Sequence, residues 1–196
     1  MESPRSRGTY AKTAARRAQI LSAAGTAFAE HGYAASSLRD IAKRAGLTHA
    51  GVQHHFPTKA AVLAAMLAER DAIEETRSRD TPHASPAEFL TRLLRDHQET
   101  PELTGLWAEL AIAARRNDHP AHDYFVGRYE QARDIMTAHL RSRAELGELR
   151  AGLDPRVGAA LLVSVLDGLQ TQWLLNRSLD VVEPLRQFLQ LIEKQP

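Results

Sequence analysis

Apolar side chains recur along this chain at intervals of three and four, the period of a helix packed on one face, and no run alternates cleanly in the manner of a strand. Ile20, Ala24 and Ala27/Phe28 give one stripe, which predicts a helix from about Tyr10 to Glu30 with Gly32 as its stop. Ser37 followed three residues on by Asp40 is a capping-box-like start for a short helix with Leu38, Ile41 and Ala45 inward, ended by Gly46. Thr48 caps a second short helix that reaches Phe56, where Pro57 breaks the chain. Thr58 caps a longer helix with Val62, Leu63, Met66, Leu67 and Ile73 on its core face. Beyond it, Ser85-Pro86-Ala87-Glu88 opens a helix to about Gln98. Pro101 opens one to Arg116, Pro120 one ending near Gly147, Asp154-Pro155 one toward Ser178, and Pro184 the last. Residues 1–9, rich in Ser, Pro, Gly and Arg, are expected to be a mobile basic tail, and Arg77–Ala84 a flexible connection. The expected fold is all-α with about nine helices: a head over residues 1–57 and a helical body over residues 58–196.

Charge separates these two parts. The net charge is only +1 over 196 residues, yet residues 1–60 carry nine Lys/Arg against three acids, a net +6, and residues 61–196 carry 16 basic and 21 acidic groups, a net −5. A basic head on an acidic body points to a polyanion met by the head alone, with nucleic acid and anionic membrane both open on charge. The most apolar stretch, Val157 to Leu169, has 13 residues and contains Ser164 and Asp167, too short and polar to cross a bilayer. No basic-then-apolar leader is seen, so a soluble cytoplasmic location is expected. Cysteine is absent, which excludes disulfides, thiolate catalysis and Cys-based zinc sites. Arginine outnumbers lysine 21 to 4, the bias of a GC-rich bacterial genome.

The informative segment is Ser37 to Lys59, SLRDIAKRAGLTHAGVQHHFPTK. Two short helices joined through Ala45-Gly46-Leu47-Thr48 have helix-turn-helix geometry, with Ile41, Leu47 and Val52 locking the pair. The second helix then offers Thr48, His49, Gly51, Gln53 and His54, small or hydrogen-bonding groups suited to base edges, while Lys59 and the backbone near Ser37 fall at flanking phosphates. A generic helical hairpin with a solvated polar face fits the same pattern.

The stretch resembles the DNA-binding domain of TetR-type (TetR/AcrR) bacterial transcriptional regulators. Ser37, Arg39, Ile41, Ala42, Ala45, Gly46, Leu47, Thr48, Val52, His55, Phe56 and Lys59 stand where that family's pattern has its key residues. Upstream, Ile20, Leu21, Ala23, Ala24, Phe28, Gly32 and Tyr33 match its first helix, so the likeness covers about 50 contiguous residues. It implies duplex DNA as partner and Ser37, Arg39, Thr48, His49, Ala50, Gly51, Gln53, His54, His55 and Lys59 as the DNA-contacting set. Gln53 departs from the family's usual Tyr. Glutamine still donates and accepts, even bidentately to adenine, but it lacks the aromatic face, so an altered preference at one base pair is expected.

Histidines do not add up to a metal site. His54 and His55 project about 100° apart on a helix, Gln53 is a poor co-ligand for His49, and in His119-x-x-His122-Asp123 the intervening Pro120 is expected to put His119 at a cap. No Gly-x-Ser-x-Gly elbow, Gly-rich phosphate loop or His-Glu-x-x-His helix occurs, so neither enzyme activity nor a cofactor is expected.

In the body, Leu162, Val165, Leu166, Leu169 and Trp173 recur at helical spacing, with Leu185, Phe188, Leu189 and Ile192 on the last helix. This stripe reads equally as internal core or as a four-helix interface between two copies. Asp167-Gly168-Leu169-Gln170-x-Gln172-Trp173 is similar to the C-terminal domains of TetR-type regulators, whose resemblance implies a homodimer through Leu162, Val165, Leu166, Leu169, Leu185, Phe188 and Leu189. The same resemblance implies an effector pocket among Phe89, His97, Trp107, Tyr124, Phe125, Arg128, Gln170 and Trp173, fit for a mainly apolar, ring-containing ligand with a few polar handles. Core packing explains any one of these residues as well. Family habit favours a repressor on a pseudo-palindromic operator, released when ligand selects a conformer with the Thr58–Ser78 helix swung. Three other classes compete: a non-specific architectural DNA-binding protein, an all-α enzyme or small-molecule carrier whose basic head binds another polyanion, and a membrane-surface protein, the last lacking apolar anchors beside the arginines of residues 1–17.

Overall fold

The computed structural model describes residues 4–79 and 86–193. Among them the regular elements are nine helices: α1 (Pro4–Ala35), α2 (Leu38–Arg44), α3 (His49–His55), α4 (Lys59–Arg79), α5 (Pro86–Glu99), α6 (Pro101–Ala113), α7 (His122–Glu145), α8 (Pro155–Leu175) and α9 (Val182–Ile192). The chain divides into two compact units, Met1–Asp80 and Thr81–Pro196. The fourth helix therefore goes with the first unit, whereas the sequence divides the chain after Pro57.

In the first unit, Ile20, Ala24, Ala27 and Phe28 of α1 are fully buried, as their spacing requires. Ile41, Ala42 and Ala45 at α2, Val52 and Phe56 at α3, and Val62, Leu63, Met66 and Leu67 of α4 are buried too. Each large side chain so enclosed contributes about 1.5–3 kcal/mol. Gly32 breaks α1 as expected, with φ 75° and ψ 159°, a region open to glycine alone. Three details differ from the sequence reading. Helix α1 starts at Pro4, so residues 4–9 are helical rather than a mobile tail. Ile73 is 49% exposed instead of core-facing. Residues 77–79 continue α4, and the rest of the expected connection, with the Ser85 cap, lies outside the described residues.

The second unit encloses a core of Leu90, Leu94, Leu140, Leu149, Ala159, Leu162, Trp173, Val181, Leu185, Leu189 and Ile192. Helices α7 and α8 approach closely at Gly158, where a Cβ would stand 2.9 Å from Leu140 Cδ1 and 3.4 Å from Leu153 Cδ2. Asp154 caps α8 by accepting from Arg156 N at 2.7 Å and Val157 N at 3.2 Å, with Pro155 in the first turn. Helix α9 begins at Val182, before Pro184, because Asp180 Oδ1 accepts from Val182 N and Glu183 N. Arg150 N donates to Ile192 O at 3.0 Å, and Arg143 pairs with both Glu148 and Glu193, tying the loop after α7 to the end of α9.

This core takes up part of the expected dimer face. Leu162 (2% exposed), Leu185 (0%) and Leu189 (8%) are spent within one chain, and Val165, Leu166, Leu169 and Phe188 pack partly buried on the same cluster. The exposed apolar side chains of α8 and α9 are instead Val157, Leu161, Leu175 and Leu191.

Candidate nucleic-acid interface

Helix α2 is fixed at both ends by groups legible in the sequence. Ser37 Oγ accepts from Asp40 N at 3.2 Å, and Ser37 N donates to Asp40 Oδ2 at 2.9 Å, a complete capping box. Ser37 Oγ also donates to Asp40 Oδ2, and this bond first, then the one from Ser37 N, holds the Asp40 carboxyl below the usual carboxylate range. At the other end Gly46 sits at φ 62°, Gly46 N donates to Lys43 O at 3.2 Å and Leu47 N to Ala42 O at 2.9 Å. That pair of bonds is a Schellman ending, and it turns the chain sharply into α3. Thr48 then caps α3, its Oγ1 accepting from Gly51 N at 3.0 Å.

One face of α3 is anchored by Val52, fully buried. At 100° per residue, Ala50, Gln53 and His54, all exposed, and half-buried His49 then span an outward arc of about 140°. His55 turns away from that arc. Its carbonyl accepts from Arg17 Nη1 at 3.1 Å, and burial, then the charges of His54, Arg17 and Arg16, hold its imidazole below the usual histidine range. The outward arc has hydrogen-bonding groups and no Lys or Arg, so cations for a duplex must come from neighbouring helices.

Most of those cations have other partners. Arg17 lies 4.2 Å over the Phe56 ring, and Arg44 pairs with Glu30. Lys59, expected at a phosphate, is instead turned inward. Its Nζ donates to Tyr33 O (2.6 Å), Ser36 O (2.8 Å) and Ala34 O (3.1 Å), 4.3 Å from the Tyr33 ring centroid. All three ammonium protons are thus used on the carbonyls that end α1, and loss of hydration lowers the Lys59 pKa. Ser36, missed in the sequence, shares this work: its hydroxyl lies 3.0 Å from Ala27 O and 2.9 Å from Gly32 O. On α2, the exposed side chains of Arg39 and Lys43 make no hydrogen bond or ion pair among the described residues.

Comparison with known proteins agrees with this geometry. Residues 20–66 match the family described as "Bacterial regulatory proteins, tetR family", and residues 82–193 match "BetI-type transcriptional repressor, C-terminal". The chain is 32% identical over 155 residues to the HTH-type transcriptional repressor KstR2 of Mycolicibacterium smegmatis, covering 74% of this chain and 73% of the relative. It is 28% identical over 180 residues to the HTH-type transcriptional regulator TtgR of Pseudomonas putida, covering 81% and 80%. Among solved structures it is similar to the SmeT–triclosan complex, with TM-score 0.74, 26% identity and coverage of 92% of this chain and 93% of that one. The chain belongs to the TetR family of bacterial transcriptional regulators, a family of DNA-binding, ligand-responsive proteins.

The residues expected to hold a ligand have neighbours within the chain. Phe89 packs on the core cluster that contains Trp173, and Arg177 lies 4.0 Å over the Trp173 ring. Tyr124 and Phe125 meet edge to face with centroids 5.2 Å apart, and His97 O accepts from Thr104 Oγ1 at 2.9 Å. Trp107 (7% exposed), Phe125 (6%) and Trp173 (6%) are closed side chains, while Arg128 and Gln170 are half-buried. No group of three or more metal-ligating side chains occurs among the described residues, and no described helix is long and apolar enough to cross a membrane.

Proposed function

We propose that this protein is a homodimeric repressor that binds a pseudo-palindromic operator and leaves it when a small, mainly apolar, ring-containing effector binds. The observation that carries the reading is the capped helix α3, which turns His49, Ala50, Gln53 and His54 outward, with α2 adding Arg39 and Lys43, whose side chains have no partner among the described residues. DNA contact is assigned to residues before Pro57, with Ser37 and Thr48 setting helix ends, and sensing and dimerisation to the helices after it. Seven-residue α3 alone makes few base contacts; two copies on half-sites about 34–36 Å apart double them, which favours a two-fold dimer. The dimer face we assign is the outward side of α8 and α9, with Val157, Leu161, Leu175 and Leu191. The likeness to SmeT, solved with triclosan and described as the repressor of a multidrug efflux pump, supports an apolar effector. Tyr124, Phe125, Trp107 and Trp173 are the aromatic side chains assigned to it. Only differential affinity for two conformers couples ligand to DNA, and about 2–3 kcal/mol shifts occupancy some 30- to 150-fold.

Gln53→Ala tests the base-reading assignment. Competition between operators differing at single positions should show lost discrimination at one base pair per half-site, worth about 1–3 kcal/mol. Unchanged affinity and unchanged preference would remove Gln53 from the interface. Titration of candidate effectors, followed by Trp107 and Trp173 fluorescence and by release from DNA, tests the sensing half. Ligands that bind without altering DNA affinity would reduce the protein to a carrier with a DNA-binding head.

A further inference from the structure

The α7–α8 junction holds a cleft of about 490 Å³ lined by Arg133, Asp134, Thr137, Arg141 and Arg156. It neighbours the close packing at Gly158 in sequence: Arg141 follows Leu140 in α7, and Arg156 lies two residues before Gly158 in α8. Arg133, Thr137 and Arg141 recur every fourth residue and so share one face of α7. Three guanidinium groups against one carboxylate leave the cleft with a formal charge of +2.

None of the three guanidinium groups makes a hydrogen bond or ion pair among the described residues. Their neighbours show that partners are easily found in this chain: Arg143 is held by Glu148 and Glu193, and Arg116 by both carboxylate oxygens of Asp118. Thr137 is the second observation. It is 93% buried (7% exposed), yet its hydroxyl has no hydrogen-bond partner among the described residues. Thr26, Thr76 and Ser164 each donate to the carbonyl four residues back, and Thr137 does not. The Thr137 hydroxyl lines the arginine-rich cleft, where it can donate to or accept from a bound group.

We infer that this cleft binds a small organic oxyanion, a carboxylate or phosphate, as an effector site distinct from the aromatic residues assigned above. Guanidinium groups meet such oxyanions in paired, parallel hydrogen bonds, and the Thr137 hydroxyl adds one further donor to an anion oxygen. Asp134 repels a bare anion and accepts from an O–H or N–H, so it selects ligands that carry a hydroxyl or amino group beside the charge. The volume lies within the range of small-molecule pockets. The inference does not rest on DNA binding. Arg156 adjoins Val157 of the proposed dimer face, so the full chain in its native association state is the species to titrate.

Isothermal titration with citrate and with glycerol 3-phosphate, each against sulfate at matched ionic strength, tests it and separates a carboxylate from a phosphate ligand. Saturable binding of at least one organic probe, not displaced by equal sulfate, is expected. Arg141→Gln and Arg156→Gln should each weaken it about tenfold, the worth of one charge-assisted hydrogen bond. Thr137→Val, nearly isosteric, should weaken it several-fold while the ligand-free melting temperature holds. Absence of saturation by both probes at millimolar concentration would overturn the site, as would variants that melt normally and bind like the parent.

Discussion

Lys59 Nζ is enclosed by three carbonyl oxygens and the Tyr33 ring, whereas Arg39 on α2 has no partner among the described residues. The two cations therefore separate stability from DNA affinity. Lys59→Met should lower the melting temperature, through a loss of about 1–3 kcal/mol for charged hydrogen bonds, and leave the salt dependence of DNA binding unchanged. Arg39→Ala should do the reverse, reducing the slope of log K against log salt by about 1 with little change in melting. Matching melting and salt-slope losses in both variants would contradict this division. His55 and His139 set a second residue-scale effect. Burial lowers both imidazoles first, with nearby positive charge (Arg143 for His139) adding to it and Glu193 partly opposing at His139. Unfolded histidine takes up its proton near pH 6.5, and these two resist it when folded. Their contribution to stability is thus present above about pH 6.5 and is lost as pH falls toward their folded values. Urea midpoints from pH 7.5 down to 5 should fall less for His55→Gln/His139→Gln than for the parent; an equal or steeper fall would refute the assignment.

Helix ends were the most legible feature of this sequence, because a cap is a local matter. Ser37 with Asp40, Gly46, Thr48 and Asp154 each act within three residues of themselves, and each does in the structure what its spacing predicts. Lys59 was not legible, since the carbonyls it satisfies are 23 to 26 residues away and the family pattern marks only that a lysine stands there. Helix faces were half legible. Periodicity identifies the side of α8 that must be buried, but not whether its own chain or a second copy covers it, and Leu162, Leu185 and Leu189 went to the inner core. Gly158 was readable as a close approach, and the structure gives it a magnitude. Leu140, 4% exposed, has little room to swing aside, so Gly158→Val should overpack the α7–α8 contact at a cost of about 1–3 kcal/mol in chemical denaturation. A variant as stable as the parent would mean that the two helices part without penalty.

At the scale of the whole molecule, an all-α chain with a basic N-terminal segment was readable from periodicity and charge, and the family from about 50 residues of motif. A cleft such as that at the α7–α8 junction was not, because it is a void between helices, and one-dimensional spacing records side chains and not the space they leave. The outward apolar residues of α8 supply the test of assembly. Leu161→Glu/Leu175→Glu should convert a dimer to a monomer in sedimentation at micromolar concentration, with a melting temperature close to that of an isolated subunit. A parent chain that sediments as a monomer would contradict the dimer outright. The central claim is sequence-specific DNA binding, and its most direct test is selection of bound DNA from a randomised duplex library at physiological salt. The account predicts enrichment of a single pseudo-palindrome whose half-sites lie about one helical turn apart, or a multiple of it. Binding that enriches no sequence and vanishes as salt rises would contradict it, and would make the protein a non-specific DNA binder.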